Sequence, residues 1–252
     1  FQLPGINQLS KDQDKVLRLP LQDRHLVIGG PGTGKSVVAL LRARRLHKKS
    51  PHIFLVYNHL LHRASQQLAD WSLLSRTWLS WFVSIFVTFT GEDPVYHPPC
   101  EPGGFCDIDW KATRRKIPQE LPDFLPARPK LIIDEGQDMP PAFYDILNDL
   151  EFENIFVVAD QNQQLREHSN SSRQELEDCL DVDETLELRQ NYRNTLQVAR
   201  LAAAFCTGDK ASPPPNLPHR ESVDSPLLVE YGPGCRIDFA NVIHRILVLA
   251  DK

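Results

Sequence analysis

A repeated alternation of short apolar runs with segments of helical periodicity constrains the fold of this chain more than any other feature. The runs are rich in β-branched residues and occupy positions 25–28, 53–57, 131–133, 155–159 and 185–188. Between them lie segments with apolar residues at helical spacing, such as those that follow position 36 and position 140. Strands that alternate with helices in this way form a parallel sheet covered by helices on both faces. The sequence therefore predicts an α/β fold.

One stretch inside the chain breaks this alternation. Residues 90–129 contain several glycines and many prolines and show little periodicity. We interpret them as an insertion that holds one short helix near residues 110–116.

A second break lies near the end of the chain. Residues 212–226 include three consecutive prolines, which are typical of a semi-rigid connector. We expect a first domain over residues 1–211. Residues 227–252 supply one further strand and one helix, which is too little to close a core, and they are expected to begin a second domain.

Composition narrows the class of protein. The 252 residues suffice for one large α/β domain, or for one domain and part of a second. A net charge of −5 argues against a protein that coats DNA through bulk electrostatics, although a local basic track remains compatible with it.

No apolar run approaches the roughly 18 residues of a membrane span, and no signal peptide is recognisable. The five cysteines lack paired C-x-x-C spacing, so we expect reduced thiols and a cytoplasmic location. The first residue, Phe1, indicates a fragment.

A glycine-rich segment follows the first predicted strand and precedes a predicted helix. Its eight residues match the phosphate-binding pattern G-x-x-x-x-G-K-[ST] and are Gly29, Gly30, Pro31, Gly32, Thr33, Gly34, Lys35 and Ser36. The backbone N–H groups of such a loop and the helix N-terminus converge on phosphate oxygens. Lys35 is expected to reach the β- and γ-phosphates of ATP, and the Ser36 hydroxyl to bind Mg²⁺. A functionless glycine turn with this full match in this context is improbable.

Two carboxylates end the third predicted strand. Asp134 is expected to hold Mg²⁺ through water, and Glu135 to polarise the water that attacks the phosphate. Acidic pairs are common on protein surfaces, so the pair gains its meaning from the phosphate-binding loop that precedes it.

The motifs together resemble those of the UvrD/Rep-like helicases of superfamily one. Residues 134–138 read D-E-G-Q-D, which is similar to the family's D-E-x-Q-D signature, and residues 9–13 resemble its Q motif. Residues 159–163 resemble motif III, G-D-x-x-Q, with alanine in place of the glycine. Residues 188–195 resemble motif IV, L-x-x-N-Y-R-S. The resemblance covers residues 9 to about 205.

This resemblance implies a RecA-like ATP-binding domain and a role for several side chains. Gln13 would contact the adenine edge, and Tyr192 would stack on the adenine. Gln163 would couple the γ-phosphate to the DNA, and Arg193 would reach the γ-phosphate. Without the other motifs, we would interpret Tyr192 as a core residue and Arg193 as a surface residue.

The resemblance also indicates where a nucleic acid would bind. Motif Ia of the family corresponds to the segment after the second strand, and motif Ib to residues 76–82, where leucine replaces the usual histidine at position 79. Tyr57, Asn58 and Ser80 are therefore candidates for base stacking and phosphate contact.

Structural interpretations compete with these contacts. The aromatic residues between positions 78 and 89 follow a helical core stripe, and we favour burial for most of them. The basic residues between positions 42 and 49 suit the C-terminus of a helix equally well.

The leading hypothesis is an ATP-dependent translocase or helicase acting on single-stranded DNA, represented by its ATP-binding half. Motifs V and VI, which lie in the second RecA-like domain of the family, are not found here, so beyond the beginning expected at 227–252 that domain is expected to be missing from this chain. The alternatives are a nucleotide-dependent switch or regulatory ATPase with a protein partner, in a defence or nuclease complex, and an RNA helicase. Asp138 weakens the last of these, because the RNA-acting branch usually lacks it.

Overall fold

A computed structural model gives the fold, and it describes residue 3 and residues 9–69, 72–98, 106–122, 125–163, 170–204 and 214–222. The predicted beginning of a second domain at 227–252 lies outside these residues. None of the helices in the described ranges combines the length and apolar character that a membrane crossing requires.

Six parallel strands form one sheet with the order β3-β2-β4-β5-β1-β6. The strands are β1 (Arg24–Gly29), β2 (His52–Val56), β3 (Ser75–Thr77), β4 (Lys130–Ile133), β5 (Ile155–Ala159) and β6 (Thr185–Leu188). The α/β prediction is confirmed, and the five predicted strands agree with the structure to within one residue at each end. The strand β3 was not predicted, because its three residues form a short edge strand without apolar alternation.

Eight α-helices connect and cover the strands in the described part of the chain. They are α1 (Lys11–Arg18), α2 (Lys35–Leu46), α3 (His59–Leu68), α4 (Trp78–Thr90), α5 (Trp110–Arg114), α6 (Pro141–Asp149), α7 (Arg173–Leu180) and α8 (Leu196–Ala203). Capping boxes fix the starts of α1 and α7, where Ser10 pairs with Gln13 and Ser172 with Glu175. Each box satisfies backbone N–H groups that a helix start would otherwise leave without partners.

The sheet is buried on both faces. Side chains alternate along each strand, so Leu26 and Ile28 join a core with α4, α6 and α7, while Val27 joins a second core with α1 and α2. All five residues of β5 are buried. This two-sided burial explains why the strands read as continuous apolar runs.

The helix α4 carries the aromatic stripe that the sequence shows. Trp81, Phe82, Phe86 and Phe89 are buried in the first core, and Trp78 packs against it. The core interpretation of these aromatic residues is confirmed.

The predicted insertion contains the helix α5 near its expected position. An isolated antiparallel bridge joins Tyr96 to Ile108, and the Thr113 hydroxyl is hydrogen-bonded to the backbone of Val95. Trp110 packs against the first core. The described part of the insertion is thus anchored to the domain.

Two of the basic residues near the end of α2 have structural roles. Arg42 is 2% exposed, donates to the backbone carbonyls of Leu19 and Pro20, and lies over the ring of Phe156. Burial lowers the pKa of Arg42 to about 10, with a further contribution from Arg45. Arg45 donates to the carbonyl of Leu17 near the end of α1. Since these guanidinium groups hold the end of α1 and the chain just after it, Arg42 belongs to the fold rather than to a DNA track.

Residues 214–222 form a strap along the edge of the domain. The Asn216 N–H donates to the Arg189 carbonyl over 2.6 Å, and Gln197 exchanges two hydrogen bonds with the backbone of Ser222. A Cβ at Gly30 would collide with the ring of Pro215. This part of the predicted connector therefore packs against the phosphate-binding loop.

Candidate functional site

Three of the predicted motifs meet at one edge of the sheet. The strand β1 ends in the glycine-rich loop, β4 ends at Asp134, and β5 ends at Asp160. Because the strands are parallel and β5 lies between β1 and β4, their carboxyl ends bring these residues together. Open α/β sheets bind ligands at this edge.

The glycine-rich loop has the shape of a phosphate cradle. The backbone of Gly32 has a φ of 80°, and a Cβ there would collide with Asn191. The Thr33 hydroxyl closes the loop by donating to the Gly30 carbonyl over 2.8 Å. At the N-cap position of α2, Gly34 offers no side chain to the first turn of the helix. The N-terminal amides of α2 therefore face the loop without a protein cap.

Lys35 is buried and paired. Its Nζ donates to Asp160 Oδ2 over 3.0 Å and to the Gly30 carbonyl over 3.2 Å. The two side chains of the ion pair are 7% and 0% exposed. Burial raises the pKa of Asp160 above its ordinary value, and the charge of Lys35 opposes that shift. Asp160 thus serves as the counterion of the lysine, a role that the motif III resemblance did not assign to it.

Asp134 and Ser36 lie next to each other at the centre of the site. The Asp134 carboxyl group is buried, and burial together with the charge of Glu135 raises its pKa to about 7. A hydrogen bond from Ser36 and the charge of Lys35 act in the opposite direction. The structure therefore places the two predicted metal-binding oxygen atoms side by side.

Glu135 is held in an unusual backbone conformation. Its φ of 55° lies in the left-handed region, which is costly for a residue with a side chain. The next residue, Gly136, must be glycine, since a Cβ there would collide with Val157. The Glu135 carboxylate accepts a hydrogen bond from Gln137 Nε2 over 3.0 Å. Backbone and side chain together thus direct this carboxylate.

Gln13 contacts the phosphate-binding loop. Its Nε2 donates to the Thr33 carbonyl over 3.0 Å, and its Oε1 accepts from the Ser10 N–H. The side chain is 7% exposed and lies against Gly34. The Q motif is therefore joined to the loop, and the contact of Gln13 with adenine stays a prediction.

The segment after β6 approaches the loop from the other side. Asn191 is buried, and its Oδ1 accepts from the N–H groups of Arg193 and Asn194 over 3.1 Å each. The Tyr192 N–H donates to the Gly32 carbonyl over 2.9 Å. This turn leaves the side chains of Tyr192 and Arg193 exposed beside the loop. Asn191 belongs to the segment that resembles motif IV, and that resemblance did not predict its role in shaping the turn.

Gln163 lies in the 3₁₀ turn Gln161–Gln163 that follows β5. Its N–H donates to the Asp160 carbonyl over 3.1 Å, and its side chain is exposed. Gln163 therefore follows shortly after Asp160, the partner of Lys35. The predicted coupling role of Gln163 stays a prediction.

The three candidate nucleic-acid residues lie at the same edge, farther along the sheet. Tyr57 and Asn58 follow β2, and Ser80 lies in the first turn of α4 directly after β3. Asn58 caps α3, because its Oδ1 accepts from the Leu61 N–H over 3.0 Å. Tyr57 is partly exposed and Ser80 is exposed. These residues lie at one end of the sheet, and within the described part of the chain they make their hydrogen bonds away from the glycine-rich loop.

The oxygen donors at this site suit Mg²⁺. Ser36 supplies a hydroxyl and Asp134 a carboxylate, and hard oxygen ligands are those that Mg²⁺ prefers. The described residues hold no group of three or more His, Cys, Asp or Glu side chains that could bind a metal.

The chain is similar to one protein family and to solved structures. A family model described as an AAA domain matches residues 13–169, which is more than half of the chain. Bacteroides Pif1 bound to ssDNA is 16% identical with a TM-score of 0.43, over 77% of this chain and 45% of that one. Bacteroides sp Pif1 in complex with ADP-AlF4 is 16% identical with a TM-score of 0.41, over 78% and 45%. This chain thus spans less than half the length of those structures. No curated protein matches it.

Proposed function

The chain belongs to the AAA domain family, and from this membership we propose that it binds and hydrolyses ATP as the ATP-binding half of a single-stranded DNA translocase or helicase. The family match and the all-parallel sheet support the predicted helicase-like ATP-binding domain of superfamily one. The UvrD/Rep-like branch, the Mg²⁺ cofactor and the DNA partner are parts of the proposal.

One observation carries this proposal. Lys35, Asp160, Asp134 and Glu135 come from three different strand ends and converge around the glycine-rich loop, largely removed from water. Buried charges are costly unless they are paired. A site that concentrates them at a phosphate-binding loop is therefore typical of function rather than of stability.

The residues divide the work on ATP among them. The loop amides and Lys35 hold the phosphates, and the lysine exchanges Asp160 for the β- and γ-phosphate oxygens. Ser36 and Asp134 would hold Mg²⁺, which would neutralise charge on those phosphates. Tyr192 provides an exposed ring for the base, and its N–H is bonded to the Gly32 carbonyl of the loop. Arg193, the next residue, would serve the γ-phosphate.

Glu135 acts on the attacking water. The water oxygen forms a bond to the γ-phosphorus as the bond to the bridging oxygen of ADP breaks, and the water proton passes through Glu135 to the released phosphate. Glu135 suits this role because its backbone and Gln137 hold the carboxylate in place. Proton transfer by a positioned carboxylate typically accelerates a reaction by about 10²–10⁴-fold.

Turnover by this chain alone is expected to be slow. In the UvrD/Rep-like helicases that the motifs resemble, the motif VI arginine belongs to a second RecA-like domain. An arginine that neutralises the γ-phosphate typically accelerates hydrolysis by about 10³–10⁵-fold. We therefore expect tight nucleotide binding with weak hydrolysis and no duplex unwinding by this chain alone. Adding a second domain is expected to raise the DNA-stimulated rate.

The test is single-strand binding as a function of nucleotide state. A fluorescent oligonucleotide is titrated with the chain without nucleotide, with ADP and with a non-hydrolysable ATP analogue, each at several salt concentrations. A motor domain changes its DNA affinity with the nucleotide, and its affinity falls as salt rises, because phosphate contacts release counterions. An affinity that ignores both nucleotide and salt would overturn the DNA part of the proposal. Nucleotide binding without any effect of DNA would point to a regulatory switch instead.

A further inference from the structure

We propose that Gln137 is a positioning residue for ATP hydrolysis, which holds the Glu135 carboxylate and ties it to the strand end that carries the partner of Lys35. This inference rests on the proposed ATPase function. Gln137 matches the glutamine of the D-E-x-Q-D signature, but the resemblance assigned no role to its side chain.

The geometry of the Gln137 amide is the first argument. Its Nε2 donates to Glu135 Oε2 over 3.0 Å, and its Oε1 accepts from the Asp160 N–H over 2.9 Å. The side chain is completely buried. Both ends of the amide are thus used, and each end contacts a different motif of the site.

The surroundings of Gln137 fix its orientation. Its backbone lies in the 3₁₀ turn Gly136–Asp138, and its carbonyl accepts from the Ser171 N–H over 2.9 Å. The Ser171 hydroxyl donates to the Met139 carbonyl over 2.6 Å, and the buried Tyr144 hydroxyl donates to the Gly136 carbonyl over 2.8 Å. The turn is therefore held from two sides, and the amide has little freedom to leave its two partners.

A glutamine at this position is not needed to fill the core. An apolar side chain of similar volume would avoid the cost of burying an amide. Only a side chain with a donor at one side and an acceptor at the other can satisfy both Glu135 and the Asp160 N–H. The pairing thus selects glutamine for its hydrogen bonds rather than for its volume.

The same contacts connect the phosphate-binding lysine to the hydrolytic carboxylate. Lys35 is paired with the Asp160 side chain, the Asp160 N–H is bonded to Gln137, and Gln137 is bonded to Glu135. When phosphate takes the place of Asp160 at Lys35, this short path is the direct route by which the change reaches Glu135. A carboxylate displaced by about 1 Å can lose about 10²-fold in rate, because the reacting atoms leave their productive geometry.

Two substitutions separate the contacts. Gln137→Glu keeps an acceptor for the Asp160 N–H but faces Glu135 with a second acceptor. Gln137→Met removes both contacts at similar volume. Single-turnover ATP hydrolysis with protein in excess gives the rate, and titration of a fluorescent nucleotide with Mg²⁺ gives the affinity. We expect both variants to hydrolyse at least about tenfold more slowly, with an ATP affinity within about threefold of the unsubstituted chain.

Thr113→Val is the matched control, because it removes a buried hydrogen-bonding hydroxyl at similar volume without touching the turn that holds Gln137 or the Glu135 carboxylate. It is expected to hydrolyse at the unsubstituted rate. If Gln137→Glu also does so, Gln137 is merely structural and the proposal is overturned. Loss of ATP binding in parallel with rate in all three variants would lead to the same conclusion.

A double substitution asks whether Gln137 acts through Glu135. In a Glu135→Gln background, Gln137→Met is expected to change the residual rate by less than about twofold, because groups that act as a unit are not additive. A full further tenfold loss would contradict action through Glu135. Failure of the proposed function looks different, since the unsubstituted chain itself would then show neither Mg²⁺-dependent ATP binding nor hydrolysis.

Discussion

Two stretches of the same sheet edge are built in different ways. At the ends of β1, β4 and β5, polar side chains are buried and bonded to one another across the strands, as in the pair of Lys35 with Asp160. At the ends of β2 and β3, Asn58 accepts hydrogen bonds from the first turn of its own helix, and Ser80 is exposed. In the first stretch, the buried charged side chains lower the stability of the fold, whereas the polar residues of the second stretch are ordinary for the start of a helix.

The two stretches differ in whether the fold alone explains their motif residues. A side chain held by long-range bonds in a buried site costs stability, so its presence needs a functional reason. A polar residue that begins a helix is explained by capping alone. The ATP assignment is therefore supported by structure, while the nucleic-acid assignment depends on experiments that separate contact from capping.

The largest expected effect is that of Lys35→Ala. Removing the charge that faces the phosphates, and leaving Asp160 buried without its partner, is expected to weaken Mg²⁺·ATP binding by at least about 1,000-fold, or about 4 kcal/mol. Isothermal titration calorimetry measures the affinity. Lys49→Ala, at an exposed lysine beyond α2, is the control and should bind normally. An unchanged affinity in Lys35→Ala would remove the buried stretch from the ATP site.

Asp134→Asn is expected to change the pH dependence of stability. The folded-state pKa of Asp134 is raised to about 7, so the native state binds more protons than the unfolded state between about pH 4 and pH 7. The contribution of Asp134 to stability therefore falls as the pH rises through this window, by up to about 4 kcal/mol. Urea unfolding with EDTA at pH 5 and pH 8 measures it.

The asparagine variant should remove this fall and be the more stable protein at pH 8, while binding Mg²⁺·ATP weakly. Its stability relative to the unsubstituted chain is the quantity of interest, because other carboxyl groups titrate in the same range. A difference that stays constant with pH would show that Asp134 is not buried as described.

Tyr192→Ala is expected to have a smaller effect. A base stacked on an aromatic ring is worth about 1–3 kcal/mol, so ATP affinity should fall by about tenfold with an unchanged requirement for Mg²⁺. Because the ring is 49% exposed, thermal stability should hardly change. Tyr96→Ala, at a ring with 42% exposure, is the control. Equal affinities of both variants would place the base elsewhere.

The smallest expected effect concerns the second stretch. Ser80→Ala is expected to weaken single-strand binding by about threefold, since one neutral hydrogen bond contributes about 0.5–1.5 kcal/mol. Ser84→Ala, one turn along α4 and also exposed, should have no effect on fluorescence anisotropy titrations. Identical behaviour of the two variants would mean that Ser80 is simply a surface residue.

Much of the fold was predictable because two-sided burial leaves an unambiguous pattern. The run that became β5 was predicted at its observed bounds, because its five residues are continuously apolar. The strand β6 was also predicted at its observed bounds, although its two leucines alternate with Thr185 and Glu187. The short strand β3 was missed, since Ser75, Arg76 and Thr77 gain their strand conformation from pairing with β2 rather than from their own preference.

The motifs predicted which residues lie together at this end of the sheet, but not how their side chains are connected. Lys35, Asp134 and Glu135 follow from motif spacing. The pairing of Lys35 with Asp160 joins positions 125 residues apart, and the role of Gln137 depends on a neighbouring strand. Arg42 illustrates the reverse case, in which a basic residue is buried because backbone carbonyls after α1 accept its hydrogen bonds. Such contacts follow from the order of the strands and cannot be read from local sequence.

The left-handed backbone of Glu135 has a consequence for laboratory evolution. Glycine adopts this conformation without strain, so Glu135→Gly is expected to relieve roughly 1 kcal/mol. Asparagine at 134 would relieve the burial of a charge. A library screened for heat resistance alone would therefore be enriched in substitutions at 134 and 135, and its most robust members would be the ones that have lost the ability to cleave ATP.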